Sequence, residues 1–446
     1  VKRFLPALLL LTASLNATPA FQIQARVDPA QGTIQATCKV SGWPKGAPLY
    51  LNRTFTVERL VSNGKVLPCS IPQGGAPLPF CALSSPLEIK GELGESFEIT
   101  YRGAVKEMTA DVNIISSKLV ELACYASWIP QSKTADPFRF TFDLSLWLPA
   151  NFVVITNGEA AEARTEGGLK ITRWRSQGEV DDLAVIAAPG LKQIADTQGG
   201  LRVETYFTAL PEAPLRQESE ALTTGYRELE ALLGTPGTRG TMRYTYSPRR
   251  GWGYSRLPLV AVSEVRVQES LGKGNYSPMR SYHGGIHEVA HFWWQVADAS
   301  REDWINEGLA EFTALRMSTR RFGPERRMRL LASFVQDASE CTTKVSILET
   351  DSKSPDRYVN HYEKTSLLLS VLEQRHGAAA MEAFLRSVYQ AFKGTRTART
   401  PEVLALLERH LNREARIFLE AGLKTQDFPL EAIRMELKLP APKAKS

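Results

Sequence analysis

Between position 21 and about position 200, large apolar residues recur at every second position in short runs separated by Gly, Pro or Asn-Gly breaks. Alternation puts successive side chains on opposite faces of an extended chain, so this stretch reads as strands and turns. The clearest run is Phe138, Phe140, Phe142, Leu144, Leu146 and Leu148, ended by Pro149. Phe152 to Thr156, a turn at Asn157-Gly158 and Leu183 to Ala188 continue the pattern. Beyond about 210 the spacing becomes helical: Pro214 to Leu233, closed by Gly234, then about 283–297, 304–321, 362–376, 378–392 and 401–423. Strands are expected within this half at Met242 to Tyr246 and near Leu259 to Val262, and no internal repeat is present. The pattern predicts an α+β, multidomain chain. An amino-terminal antiparallel β domain spans 21–205, a mixed and mostly helical domain spans 206–395, and a short helical segment spans 396–446 with a disordered tail from Pro440.

Composition changes this picture little. With 446 residues, 43% of them apolar and 23% charged, the chain is globular in balance and long enough for two sizeable domains. A net charge of +6 is a mild excess that suggests no nucleic-acid partner. Lys2 and Arg3, the apolar run Phe4 to Leu11 and the small residues ending at Ala20 form an export signal, residues 1–20, with cleavage expected after Ala20. That run is too short to span a membrane, and no membrane anchor is expected. The mature chain is therefore expected in the periplasm or outside the cell. Cys38, Cys69, Cys81, Cys124 and Cys341 match no zinc-binding spacing. Cys69 and Cys81, in a Pro-rich stretch, are a candidate loop-closing disulfide, and buried free thiols are the alternative.

Candidate chemistry enters at His287-Glu288-Val289-Ala290-His291. On a helix the two histidines lie one turn apart on one face, within reach of one cation, and Glu288 stands beside them as a general base toward water. Two packed histidines beside the apolar Phe292, Trp293, Trp294 and Val296 would give the same pattern. The following segment, Trp304 to Phe312, adds Glu307 and Glu311 one turn apart and so supplies an oxygen ligand.

At these residues the chain resembles the gluzincin metallopeptidases of the aminopeptidase N and leukotriene hydrolase family, through His287 to Trp294 and Asn306 to Ala310. Fifteen residues separate His291 from Glu307, a shorter spacing than the family's usual one. The resemblance implies a thermolysin-like catalytic domain, a secreted zinc peptidase acting on peptides, and one Zn2+ held by His287, His291 and Glu307 with Glu288 as general base. It further implies that Glu311 orients a zinc histidine, a surface glutamate being the alternative. Tyr358 to Lys364 is similar to the family's Tyr-x-Lys segment and points to Tyr362 as the oxyanion-stabilising phenol. The likeness extends upstream through Trp128-Ile129-Pro130, Pro137-Phe138 and Asn157-Gly158-Glu159.

The family's amine-binding glutamate has no counterpart here. The corresponding stretch, Gly253, Tyr254, Ser255 and Arg256, is the expected substrate-binding segment, and Arg256 would repel an ammonium. Gln131 and Glu264 are candidate replacements. The leading expectation is an aminopeptidase N-like enzyme with altered amine recognition. The alternatives are a zinc endopeptidase, a hydrolase preferring an acidic group, or a binding protein that keeps only the fold. His283 is expected to be a helix-start residue, and Trp252, Tyr254, Trp293 and Trp294 to be core.

Overall fold

The structure is a computed structural model that describes residues 18–79, 81–106, 112–133, 138–237 and 240–442. Residues 1–17 of the expected export segment and residues 443–446 of the expected tail lie outside the described residues.

Alternation in the first half becomes an eight-stranded sheet. Its spatial order is Glu159–Glu166, Leu169–Arg175, Thr141–Pro149, Ala20–Asp28, Thr33–Ser41, Phe97–Ala104, Phe55–Ser62 and Lys65–Val66. Phe142, Leu144, Leu146 and Leu148 enter one core with Phe21, Ile23, Trp43 and Trp128. The sheet is not wholly antiparallel: Ala20–Asp28 runs parallel to Thr141–Pro149, pairing Phe21 with Phe142 and Ile23 with Leu144. Local alternation says which face a residue takes but not which distant strand becomes its neighbour, and a parallel pair always joins distant segments. A second sheet, Ile114–Ile115, Val120–Leu122, Val185–Pro189 and Phe152–Thr156, lays Val120, Phe152, Val185 and Ala187 on that core.

Its other face, with Ile155, Ala184 and Ile186, packs on Tyr254, Leu259 and Ala261 of a third sheet. This five-stranded sheet has the order Lys192–Gln198, Leu201–Phe207, Thr241–Ser247, Leu259–Ser263 and Tyr254–Arg256. The boundary expected at 205/206 falls inside its second strand, which pairs in parallel with Thr241–Ser247. Alternation runs unbroken across the junction, so pattern alone does not locate it. A buried ion pair ties the two halves: Glu121 and Arg249 are closed to solvent with Arg249 Nε 2.9 Å from Glu121 Oε2. Losing either partner of such a pair costs about 3–5 kcal/mol, because the other is left charged and dry.

Ten helices follow among the described residues: α1 (Glu212–Leu233), α2 (Glu264–Gly272), α3 (Pro278–Ala290), α4 (Asp303–Phe322), α5 (Pro324–Ser339), α6 (Thr365–His376), α7 (Ala378–Phe392), α8 (Thr400–His410), α9 (Arg413–Lys424) and α10 (Leu430–Glu436). The helix expected to reach 297 stops at Ala290. There the amides of Phe292, Trp293 and Trp294 turn back onto the carbonyls of Val289 and Ala290. Trp293 and Trp294 are core, as expected, and Trp294 Nε1 donates to Thr313 Oγ1 at 2.9 Å. The stretch expected as one helix over 401–423 breaks at Asn412, whose side chain caps α9 by accepting from Ala415 N at 2.8 Å. No helix among the described residues is long and apolar enough to cross a membrane.

All five cysteines are free, so the candidate bond between Cys69 and Cys81 is absent and the alternative of free thiols holds. Cys69 lies in a short strand paired with Glu88–Ile89, whereas Cys81 turns inward onto Tyr50 and Leu78, with Cys124 against them.

Candidate metal centre and cleft

α3 begins with Ser277 as cap and Pro278 at its first turn. It then presses Ile286, Val289 and Ala290 into the core. Gly285 makes that approach possible: a Cβ there would lie 2.9 Å from Tyr244 Oη and 3.0 Å from Leu222. The opposite face of α3 carries His287, Glu288 and His291 to a cleft of about 910 Å³. α4 is held against the end of α3 by Asn306, which accepts from the amides of Val296 and Ala297 and donates to Ala297 O, each at 3.0 Å. Gly308 lets the next layer close in, since a Cβ would meet Thr365 Cγ2 at 2.3 Å. The Asn-Glu-Gly sequence is thus explained on both sides of Glu307 by packing.

His287 Nε2 and His291 Nε2 are 3.2 Å apart, and Glu307 Oε2 lies 3.5 Å and 3.0 Å from them. Ligand atoms about 2.0–2.1 Å from one tetrahedral zinc are roughly 3.3 Å from each other, so these three nitrogen and oxygen atoms sit at metal-ligand separations. Glu307 Oε2 is also a buried acceptor without a hydrogen-bond partner. Against burial, which disfavours a cation, Glu307 and Glu311 push His287 up to about 10. Against burial likewise, His291 and His287 hold Glu307 well below the ordinary range. The pocket is therefore built to contain positive charge.

Glu311 Oε2 lies 2.7 Å from His287 Nδ1, and its other oxygen is 2.7 Å from His283 Nε2. His283 in turn reaches Ser318 Oγ at 3.0 Å. His283, expected only to start a helix, is thus part of the chain of contacts behind the metal ligands. Its position one turn before His287 was the available signal. Orienting contacts of this kind are worth about 10–100-fold in metal affinity. Glu311→Gln is accordingly expected to weaken zinc retention by about that factor in a chelator competition, and unchanged affinity would exclude the role.

Glu288 stands beside this group. Its carboxylate packs on Gly253, where a Cβ would come within 2.3 Å of Glu288 Oε1. Ser255 Oγ donates to Glu288 O and lies 3.5 Å from Glu288 Oε2. Burial, resisted by the neighbouring histidines, raises the Glu288 carboxyl above its usual range. A π-helical turn at Val359–Lys364, ahead of α6, brings Tyr362 in from the other side. Its ring stacks on His287 with centroids 5.3 Å apart and planes 10° from parallel. Burial and Glu307 hold its phenol well above the ordinary value, so it remains a donor. Arg357, with no recognisable signal in the sequence, pairs with Asp303 and lies 3.4 Å from Glu307 Oε1.

The expected substrate-binding segment forms the edge strand Tyr254–Arg256 of the third sheet. Tyr254 is 5% exposed and packs at the sheet junction, so it lends the cleft a wall more than a free side chain. Arg256 is not the isolated cation that the sequence suggests. Its Nε lies 2.7 Å from the buried Asp182, its Nη2 donates to Cys124 Sγ at 3.2 Å, and Tyr125 and Tyr254 flank it. Neither candidate replacement for the amine anchor is available in the cleft. Glu264 is spent on the amides of Thr208, Ala209 and Leu210. Gln131 is within hydrogen-bonding distance of Ser127 Oγ and Cys124 O.

No family model and no curated protein matches this sequence. Solved structures do match its fold. An M1 zinc metallopeptidase from Deinococcus radiodurans superposes with a TM-score of 0.71 and 17% identity over 96% of each chain. A mutant of an M1 zinc metallopeptidase from the same organism, bound to a Tyr-Ser-Ala substrate, gives 0.72 and 17% over 92% of this chain and 94% of that one. A two-domain M1 zinc metallopeptidase mutant bound to L-tryptophan gives 0.68 and 17% over 95% and 96%. Over nearly its whole length, therefore, this chain has the fold of the two-domain M1 zinc metallopeptidases, sheet-rich first and helical second.

Proposed function

We propose that this chain is an exported zinc peptidase, periplasmic or extracellular, with a thermolysin-like catalytic domain and an aminopeptidase N-like reaction. One observation carries the reading: His287, His291 and Glu307 converge at ligand separations, with Glu288 on one side and the Tyr362 phenol on the other. Zinc bound there would lower the pKa of water and polarise a carbonyl. Glu288 takes the proton from the attacking water and returns it to the departing nitrogen, a role its place beside the ligands allows. Tyr362 donates to the oxyanion as charge develops. Glu311 fixes the His287 ring, and Gly253 leaves Glu288 its room. The Tyr-Ser-Ala peptide bound by a structural neighbour supports a peptide substrate.

Amine recognition is the point of departure. Arg256 is balanced by Asp182, and Arg396 by Asp181. This end of the cleft accordingly neither attracts nor strongly repels an ammonium. A charge-assisted anchor would favour free over blocked peptides by about 10–150-fold, the equivalent of ~1.5–3 kcal/mol. Without one, kcat/KM for matched free and amino-blocked peptides is expected to agree within about threefold. A free-peptide preference above tenfold would restore an amine anchor. Cutting of blocked peptides at interior bonds would make the enzyme an endopeptidase, the second reading, which the missing anchor favours.

A further inference from the structure

The cleft follows α3, and its two ends differ in charge. At the carboxy-terminal end of α3, Arg256 and Arg396 are each paired with an aspartate, and beside the ligands Arg357 is paired with Asp303. At the amino-terminal end Arg280 of α3 lines the cleft, Arg266 of α2 lines it too, and neither makes an ion pair among the described residues. Glu218 is buried beneath Ser281 and Tyr276 and accepts from both hydroxyls, and Glu269 pairs with Arg250. Arg266 lies over the ring of Trp252, 4.5 Å from its centroid, and Trp252, expected in the core, is instead 61% exposed because it stands at the cleft wall. An indole held open at the cleft wall by a stacked guanidinium is a flat apolar platform next to two cations that make no ion pair among the described residues.

We propose that this end is an anion subsite: Arg266 and Arg280 bind a carboxylate of the substrate, either its terminal carboxylate or an acidic side chain, while Trp252 supports the chain leading to it. The proposal rests on the peptidase reading. Charge also sets the direction. A substrate ammonium is repelled from the two arginines, so the amino end faces the neutral end of the cleft and the leaving-group side faces Arg266 and Arg280. Eight residues of helix, about 12 Å at 1.5 Å per residue, separate Arg280 from Glu288. An arginine side chain spans about half of that, and an extended peptide covers the rest in roughly two residues. The bound carboxylate therefore belongs two or three residues beyond the scissile bond.

The test uses full-length protein and peptides that differ only on the leaving side: terminal acid against amide, and glutamate against glutamine two residues past the cut. Acid is expected to exceed amide, or glutamate to exceed glutamine, by about tenfold in kcat/KM, carried by KM and shrinking as salt rises. Which pair responds distinguishes the terminal carboxylate from a side chain. In the Arg266→Gln, Arg280→Gln double variant the ratio is expected to fall to about one. Equal rates in both wild-type pairs, or a preference that survives in the double variant, would overturn the subsite. Titration calorimetry of the same peptides on the Glu288→Gln variant measures the preference apart from turnover. Preference without cleavage by the wild type would keep the subsite and discard the peptidase reading, and cleavage without preference would do the reverse.

Discussion

Glu288→Gln is expected to lower kcat by about 10³-fold while zinc content stays at one per chain. The two side chains have nearly the same size, so the fit against Gly253 and Ser255 survives, and His287, His291 and Glu307 are untouched. What disappears is the acceptor for the proton of the attacking water and its later delivery to the leaving nitrogen. Elemental analysis beside steady-state kinetics separates the outcomes. Loss of zinc together with activity would make Glu288 part of the metal site, and a variant keeping more than about a tenth of wild-type kcat would remove it from the reaction.

Tyr362→Phe is expected to cost about 10²–10³-fold in kcat with little change in KM. Phenylalanine keeps the ring stacked on His287 and the packing of the π-helical turn, and deletes only the hydroxyl. An oxyanion donor acts in the transition state more than in the bound substrate, which is why kcat and not KM should move. The phenol is held protonated well above its usual range, so the loss should be level across neutral pH. A change below about threefold would assign the ring to packing alone.

Residues close in sequence were legible because a helix converts spacing into position. His287, Glu288 and His291 share a face whatever surrounds them, and Glu307 and Glu311 do so on the next helix. Alternation was equally direct for Phe142 to Leu148. α5, absent from the expected helices, carries the same signal: Pro324 follows Gly323, and Leu330, Leu331, Phe334, Val335 and Ala338 recur at helical spacing. α2, nine residues with a largely half-exposed face, is too short to carry a period.

Other features depended on partners far away in the chain. Arg256 reads as a bare cation until Asp182, 74 positions earlier, neutralises it. Glu264 resembles a spare carboxylate until the amides of residues 208–210 close on it. Cys81 leaves Cys69 for a cluster with Tyr50 and Leu78. By itself the sequence determined the strand faces, the main helices and the metal-binding pattern, since these follow from local geometry of period two or period 3.6. Only the tertiary structure decided the parallel pair, the junction between the halves and the charge of each end of the cleft. Those depend on which distant groups meet, and both burial and the pairing of a charge are properties of the assembled fold.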